Sequence, residues 1–191
     1  SFGTVIMADF QTHGKGQRSS FWKSDKGLNL LISIYFDSSF LNSENIFFLS
    51  KAIALAIREC LEKITGIKAS IKWPNDILIN GSKIAGVLIE NQWKNEKLSS
   101  SIIGIGLNVN QVVFSGLENV ISLKNLTSKV YNLNSILKSL CSSLDTQFSR
   151  LRNFDIFEID RQYHRFLFNH NQWSNYEKNK INFKGKLIKV D

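Results

Sequence analysis

Asn80-Gly81, set between the apolar runs Ile77-Leu78-Ile79 and Ile84 to Glu90, restricts the possible folds more than any other feature of the chain. An Asn-Gly pair at that spacing is a strong hairpin signal, so the two runs fold back on each other as antiparallel strands. Directly before the hairpin stands Lys72-Trp73-Pro74-Asn75-Asp76, which holds the only proline of the 191 residues. That proline biases Trp73 towards extended backbone. A short strand from Ile71 to Trp73 then delivers a turn presenting Lys72, Asn75 and Asp76 together. Asn and Asp also cap turns through their own backbone, so the turn taken alone has a purely structural reading.

The remaining elements follow from periodicity. Thr4 to Phe10 and Leu28 to Phe36 are β-branched and aromatic runs bounded by Gly, Asn, Asp or Ser, and both read as strands. Ile46, Leu49, Ile53, Ile57, Cys60, Leu61 and Ile64 recur at three- and four-residue steps, one face of a helix, with Ser43 to cap its start and Gly66 its end. Ser101 to Val109 is a further strand. A second helix runs through Ile136, Leu137, Leu140, Leu144, Phe148 and Leu151, and a third from about Asp155 to Phe168. Lys180 to Val190 opens another strand pair around Gly185. Strands linked by hairpins, with helices inserted and trailing, indicate an α+β fold with a mixed or antiparallel sheet rather than a doubly wound one.

Composition excludes several classes. No apolar run reaches the roughly 18 residues a membrane span needs, and the first residues carry no basic start followed by an apolar stretch, so no signal peptide is expected. Two cysteines, Cys60 and Cys141, sit in helical patterns as small core residues, and the three histidines lack metal-ligand spacing. The chain reads as reduced, metal-free and cytoplasmic. Its formal charge of +8 is uneven: from Arg161 onwards there are seven Lys or Arg against two acids, Glu177 and Asp191. That balance suits polyanionic ligands or an acidic protein partner, and is equally the mark of a solvated lysine-rich surface.

Familiar nucleotide motifs are absent. Gly14-Lys15-Gly16-Gln17-Arg18-Ser19 fails the dinucleotide fingerprint at its third glycine and precedes a strand instead of opening a helix. No serine stands in a nucleophile-elbow context. Three polar clusters remain. Gln11 through Trp22 offers glycine amides together with Lys15 and Arg18, suited to phosphate or carboxylate, and also reads as a flexible basic surface loop. The second is the Lys72–Asp76 turn. The third joins Lys83, Ala85, Gly86 and Glu90 to Gly104, Gly106 and Asn108, where small residues within strands mark either close ligand approach or a bulge.

In combination the clusters become specific. Lys-Trp-Pro-Asn-Asp-Ile, a hairpin and Lys-Ile-Ala-Gly-Val-Leu-Ile-Glu together closely resemble the signature of biotin protein ligases, the holocarboxylase synthetases. Gln11-Thr12-His13-Gly14-Lys15-Gly16-Gln17-Arg18 with Trp22 resembles that family's glycine–arginine biotin loop, and Gly104-Ile105-Gly106-Leu107-Asn108 its Gly-x-Gly-x-Asn strand. The resemblance implies the family's class II synthetase-like fold and a two-step reaction: biotin and MgATP give biotinyl-5′-AMP, then a lysine of a biotin carboxyl carrier protein attacks it. It assigns Lys83 to the carboxylate and α-phosphate, Asp76 to the incoming amine, and Lys15, where the family usually has arginine, to catalysis and biotin. Biotin contacts are expected from Gln11, Gly14, Gly16, Gly86 and Gly104, and adenylate contacts from Gln17, Arg18, Trp22, Lys72, Asn75 and Asn108. No metal is expected to be held by protein side chains; Mg2+ arrives with ATP. Residues 1–168 would form the catalytic domain and 169–191 the start of a small C-terminal β-barrel.

Three departures accompany the resemblance. Gln17 stands where the family commonly has another arginine, and Ser19 replaces a glycine. The Ser-Thr-Asn motif that normally precedes the first strand is not in the chain, which is therefore expected to be partial. Alternative readings are a degenerate homologue that binds biotin without activating it, a lipoate or octanoate ligase, and, from another class, a nucleic-acid-binding module. The lipoate family's Arg-Arg-x-x-Gly-Gly-Gly segment has no match here, and the basic residues are not interleaved with aromatics as in a nucleic-acid stripe. The expected partners are thus biotin, ATP and the carrier domain, with no membrane or nucleic acid and with a homodimer left open.

Overall fold

The computed structural model describes the whole chain except Arg18, Ser19, Asn179, Lys180 and Asp191, with Lys178 described by its backbone only. In chain order the first strands are β1 (Val5–Ala8), β2 (Gly14–Lys15), β3 (Phe21–Trp22) and β4 (Leu30–Asp37), followed by helix α1 (Phe47–Thr65). Then come β5 (Ser70–Lys72), β6 (Asp76–Ile79), β7 (Ser82–Lys94) and β8 (Lys97–Leu107). Helices α2 (Leu123–Thr127), α3 (Leu133–Arg152) and α4 (Ile156–Arg165) follow, and β9 (Trp173–Lys178) and β10 (Ile181–Lys186) close the chain.

Six strands form one sheet in the order β1-β4-β8-β7-β6-β5, every neighbouring pair antiparallel. This is the α+β architecture that the hairpin signal requires. Asn80 and Gly81 take φ of 51° and 78°, as the tight turn between β6 and β7 demands. A second hairpin turns at Asn95 and Glu96, also at positive φ, and lets β7 and β8 run much longer than their apolar cores.

One face of the sheet is the core. On β8 the buried residues alternate, so Ile103, Ile105 and Leu107 face the helices while Ile102, Gly104 and Gly106 face away. Helix α1 is buried almost all round because it packs on β5–β7 on one side and on α3 and α4 on the other. Its two buried charges are both engaged. Lys51 Nζ lies 2.5 Å from Asp160 Oδ1 of α4 and donates to the Val190 carbonyl at 2.9 Å. Arg58 pairs with Glu62 at 2.7 Å and stacks on Phe166, its guanidinium carbon 3.3 Å from the ring centroid. Cys60 is buried and Cys141 half-buried, both as free thiols.

Two local expectations are corrected. Ser43 does not cap α1; the helix starts after Ile46 without a side-chain cap. The preceding turn is held by Asn42, whose Oδ1 accepts from the Glu44 and Asn45 amides at 3.0 Å. Gly66 does end the helix, at φ 71°. The C-terminal strand pair exists, but Gly185 lies inside β10, opposite Ser174 of β9, rather than at its turn.

Candidate active site

The face of the sheet turned away from the helices carries a cleft of about 420 Å³. Its floor follows from strand register, because residues paired across antiparallel strands share a face. Leu31 pairs with Gly106, Gly106 with Gly86, Gly86 with Asp76, and Asp76 with Lys72, one row crossing five strands. The next row is Ser33–Gly104–Leu88, and the one beyond it Tyr35–Ile102–Glu90.

The first row is the charged end. Lys83 Nζ reaches back over Gly86 to within 2.7 Å of Asp76 Oδ1, with the two side chains 33% and 23% exposed. The Trp73–Pro74 peptide is cis, and the turn behind it is stapled to β7: Asn75 Nδ2 donates to Val87 O at 2.9 Å and Val87 N to Asn75 O at 3.0 Å. Lys83 is braced from its other side, because its amide donates to Asn119 O at 2.7 Å and its carbonyl accepts from Ile121 N at 2.9 Å.

The second wall is the segment from Gln11 to Trp22. It is a small hairpin in which Gly14 pairs with Trp22 and Lys15 with Phe21. Gly16 N donates to Ser20 O at 2.8 Å to close its tip. Trp22 lies flat over the charged row. A methyl group on Gly106 would overlap its six-membered ring, and one on Gly86 would come 3.1 Å from it, so those glycines are the seat of the indole. Lys83 Nζ lies 5.6 Å from the Trp22 ring, and the buried indole Nε1 has no hydrogen-bond partner.

Gln11, Lys15, Gly16, Gln17, Trp22, Asn75, Asp76, Lys83, Gly86 and Gly104, all expected from sequence, line this cleft together. Gly14 is buried just behind it against the Trp22 carbonyl. Lys72 is exposed beside Asp76, outside the lining. Asn108 is buried: its amide donates to Ile84 O at 2.9 Å and its Nδ2 to Ile121 O at 3.1 Å, so here it anchors the segment after β8. Arg18 and Ser19 fall outside the described residues. The lining also includes Leu31, Ser33, Leu88 and Ile102, which the sequence does not single out, and His13, Phe21, Glu90 and Gly106, which lie in its polar clusters without an assigned ligand contact. The glycine pair on adjacent strands was the available signal: pairing β7 with β8 so that Gly86 meets Gly106 places Leu88 and Glu90 on the same face. Among the described residues no group of three or more His, Cys, Asp or Glu gathers to hold a metal ion.

A cationic pocket on a glycine-floored antiparallel sheet, roofed by a glycine-containing hairpin, matches a known class. The sequence profile of the biotin/lipoate A/B protein ligase family covers residues 2–108, and the chain belongs to that family. It is 41% identical over 111 residues to the bifunctional ligase/repressor BirA of Bacillus subtilis, a match spanning 57% of the chain and 33% of that relative. With the biotin–[acetyl-CoA-carboxylase] ligase of Mycobacterium tuberculosis it shares 27% identity over 154 residues, 79% of the chain and 56% of the relative. The solved structure of the Aquifex aeolicus biotin protein ligase in complex with biotin and ATP superposes with a TM-score of 0.84 and 26% identity, over the whole chain and 79% of that protein. The matched segment thus spans about a third of the length of the BirA relative. Among the described residues no helix is long and apolar enough to cross a membrane.

Proposed function

We propose that this chain activates biotin with ATP and transfers it to a lysine of a carrier protein. The observation that carries the reading is the Lys83–Asp76 pair at one end of a cleft whose floor is glycine and aliphatic side chains. Such a pair, partly open to water, adds within about 0–1 kcal/mol to stability, so an incoming carboxylate displaces it cheaply. Lys83, freed from Asp76, would then hold the biotin carboxylate against the α-phosphate of ATP. Lys15, at the edge of the roof, would add a second positive charge over the phosphates. A carboxylate oxygen attacks the α-phosphorus and pyrophosphate leaves, giving the mixed anhydride.

In the second step the amine nitrogen of the acceptor lysine attacks the biotinyl carbonyl carbon and AMP departs. Asp76, no longer bound to Lys83, is the carboxylate placed to take the proton that the ammonium must lose. The backbone around Gly14 and Gly16, with Gln11 and Gln17, would close over the adenylate, and Asn75 would keep the catalytic turn rigid. Mg2+ would enter as the counter-ion of the triphosphate. Residues 1–168 would carry this chemistry, with 169–191 beginning a separate small domain. The BirA and Mycobacterium relatives and the biotin- and ATP-bound Aquifex structure support the choice of substrates.

The test is biotin-dependent exchange of pyrophosphate into ATP, with and without EDTA. Exchange that requires biotin and is abolished by EDTA is the expected result. Biotin binding without exchange would overturn the activation chemistry and leave a binding protein.

A further inference from the structure

A buried polar network lies outside the cleft lining and joins the two segments that frame it. Asn29, just before β4, and Gln111, just after β8, are only 1% and 6% exposed. β4 and β8 pair at Leu30 and Leu107, so the network closes the end of that ladder. Asn29 Oδ1 accepts from the Val109 amide at 2.9 Å, while its Nδ2 donates to Gln111 Oε1 at 2.6 Å and to Ser24 Oγ at 3.0 Å. Gln111 Oε1 also accepts from the Asp25 amide at 3.0 Å, and Gln111 Nε2 donates to Val113 O at 2.9 Å.

Ser24 and Asp25 form the leg by which the roof hairpin returns to the sheet, and they follow Trp22 by two and three residues. Gln111 and Val113 begin the segment that runs on to Asn119 and Ile121, whose backbone braces Lys83. Gln111 thus bonds to the roof with one end of its carboxamide and to the Lys83 segment with the other. The place demands that chemistry: an acceptor facing two N–H donors and a donor facing a carbonyl. A carboxylate lacks the donor, and an apolar side chain lacks both. Buried donors left without a partner are what make such a loss costly. With the return leg fixed, the hairpin opens and closes about a set end, and the indole comes back to the same seat on Gly86 and Gly106.

We propose that Gln111 is a positioning residue for the roof: it holds the return leg against the segment after β8, so that Trp22 and Lys15 settle over the charged row in one arrangement. The inference rests on the acid-activating role proposed above and adds what keeps the roof poised for it. Gln111 lies outside the cleft lining and acts through the hairpin. Its effect is therefore on binding, because apparent affinity falls with the fraction of molecules whose roof is in the competent position.

The experiment compares the full chain as wild type, as Gln111→Met, which removes both polar atoms at similar length, and as Ser24→Ala, which removes one partner from the half-buried leg. Limited trypsin digestion of the ligand-free protein, mapped by mass spectrometry, reads the leg at Lys23. Cleavage there should be roughly tenfold or more faster in Gln111→Met and about threefold faster in Ser24→Ala, because it tracks the population of the opened leg. Cleavage at Lys94 and Lys97, at the far β7–β8 turn, should keep its wild-type rate. In biotin-dependent ATP–pyrophosphate exchange, Gln111→Met should raise KM for biotin and for ATP roughly threefold to tenfold, with kcat within about twofold. Wild-type cleavage at Lys23 in both variants, faster cleavage at unchanged KM, or a fall in kcat at unchanged KM would each overturn the proposal. If Gln111→Met does not fold, Ser24→Ala decides, and wild-type cleavage at Lys23 in that variant overturns it. If wild type shows no exchange, the activation chemistry fails on its own, and the cleavage rates still decide whether Gln111 holds the roof.

Discussion

The floor and the roof of the cleft are built by different means. On the floor, Asp76, Gly86, Gly104 and Gly106 lie on strands paired on both sides, and Lys83 is held by β6 and by the Asn119–Ile121 segment. Their positions are set by a ladder of backbone hydrogen bonds. The roof is a hairpin of two-residue strands, tied at its tip by Gly16 and Ser20 and at its base by Gly27 N to Asp9 O at 2.8 Å. A few exposed bonds of that kind open at low free-energy cost. On the function proposed above the difference divides the work: the rigid floor would present charge to the reacting atoms, and the roof would retain what has bound. Substitutions at the charged end of the floor should lower kcat, and roof substitutions should raise KM.

Lys83→Ala is the most severe way to break that division. Removing a preorganised cation from the reacting carboxylate and phosphate should cut kcat for adenylation at saturating biotin and ATP by about a hundredfold or more. Rapid-quench measurement of biotinyl-5′-AMP reads this step directly. Adenylation within a few-fold of wild type would mean that the floor does not hold the chemistry.

Gly106→Ala probes where the two walls touch. The added methyl overlaps the Trp22 ring, so the indole must leave its seat or the strand must shift. Overpacking of this kind costs about 1–3 kcal/mol. Thermal unfolding should show it, and the Trp22→Ala background should remove most of the cost, since the clash partner is gone. An equal penalty in both backgrounds would show that Gly106 is needed for the strand itself rather than for the roof.

A milder test of the roof is Lys15→Ala. Lys15 is exposed and lies on a strand only two residues long, so its loss should raise KM for ATP roughly tenfold with kcat within about threefold. The split between the two constants carries the test. A fall in kcat as large as that of Lys83→Ala would move Lys15 to the reacting atoms and erase the distinction between roof and floor.

The same contrast explains what could be read from sequence. Asn80-Gly81, the α1 stripe and the Lys72–Asp76 turn are local signals, and each lies where periodicity or turn chemistry put it. Ser33 and Leu31 escaped because the face of Leu28 to Phe36 that carries Asn29, Leu31, Ser33 and Tyr35 mixes polar and apolar residues, and such a face reads in sequence as an ordinary solvated one. Only the pairing of β4 with β8, some seventy residues apart in sequence, turns Ser33 towards Gly104. Asn108 and Lys72 show the converse. Membership of a motif placed them near the site, but backbone bonding buries the first and strand geometry leaves the second outside the lining. The start of α1 was missed for a local reason: Asn42 at the preceding turn outcompetes Ser43 for the free amides.

The smallest effect concerns the layer on which the floor rests. Burial pushes the Cys60 thiol above its ordinary pKa, an effect outweighing the contact with Ser139 Oγ at 3.6 Å, and burial raises half-buried Cys141 too. A raised thiol pKa means less thiolate at pH 7.5, and thiolate is the form that alkylates. Iodoacetamide should therefore modify the native chain slowly, Cys141 before Cys60, and both rapidly in denaturant. Raising the pH should accelerate Cys141 first, because its sulfur is already within reach of solvent. Alkylation of Cys60 at the rate of a free thiol would mean that α1 separates from α3 often enough to expose it. The floor could then not be more rigid than the roof, because the sheet would be resting on a helix layer that opens as readily as the hairpin above it.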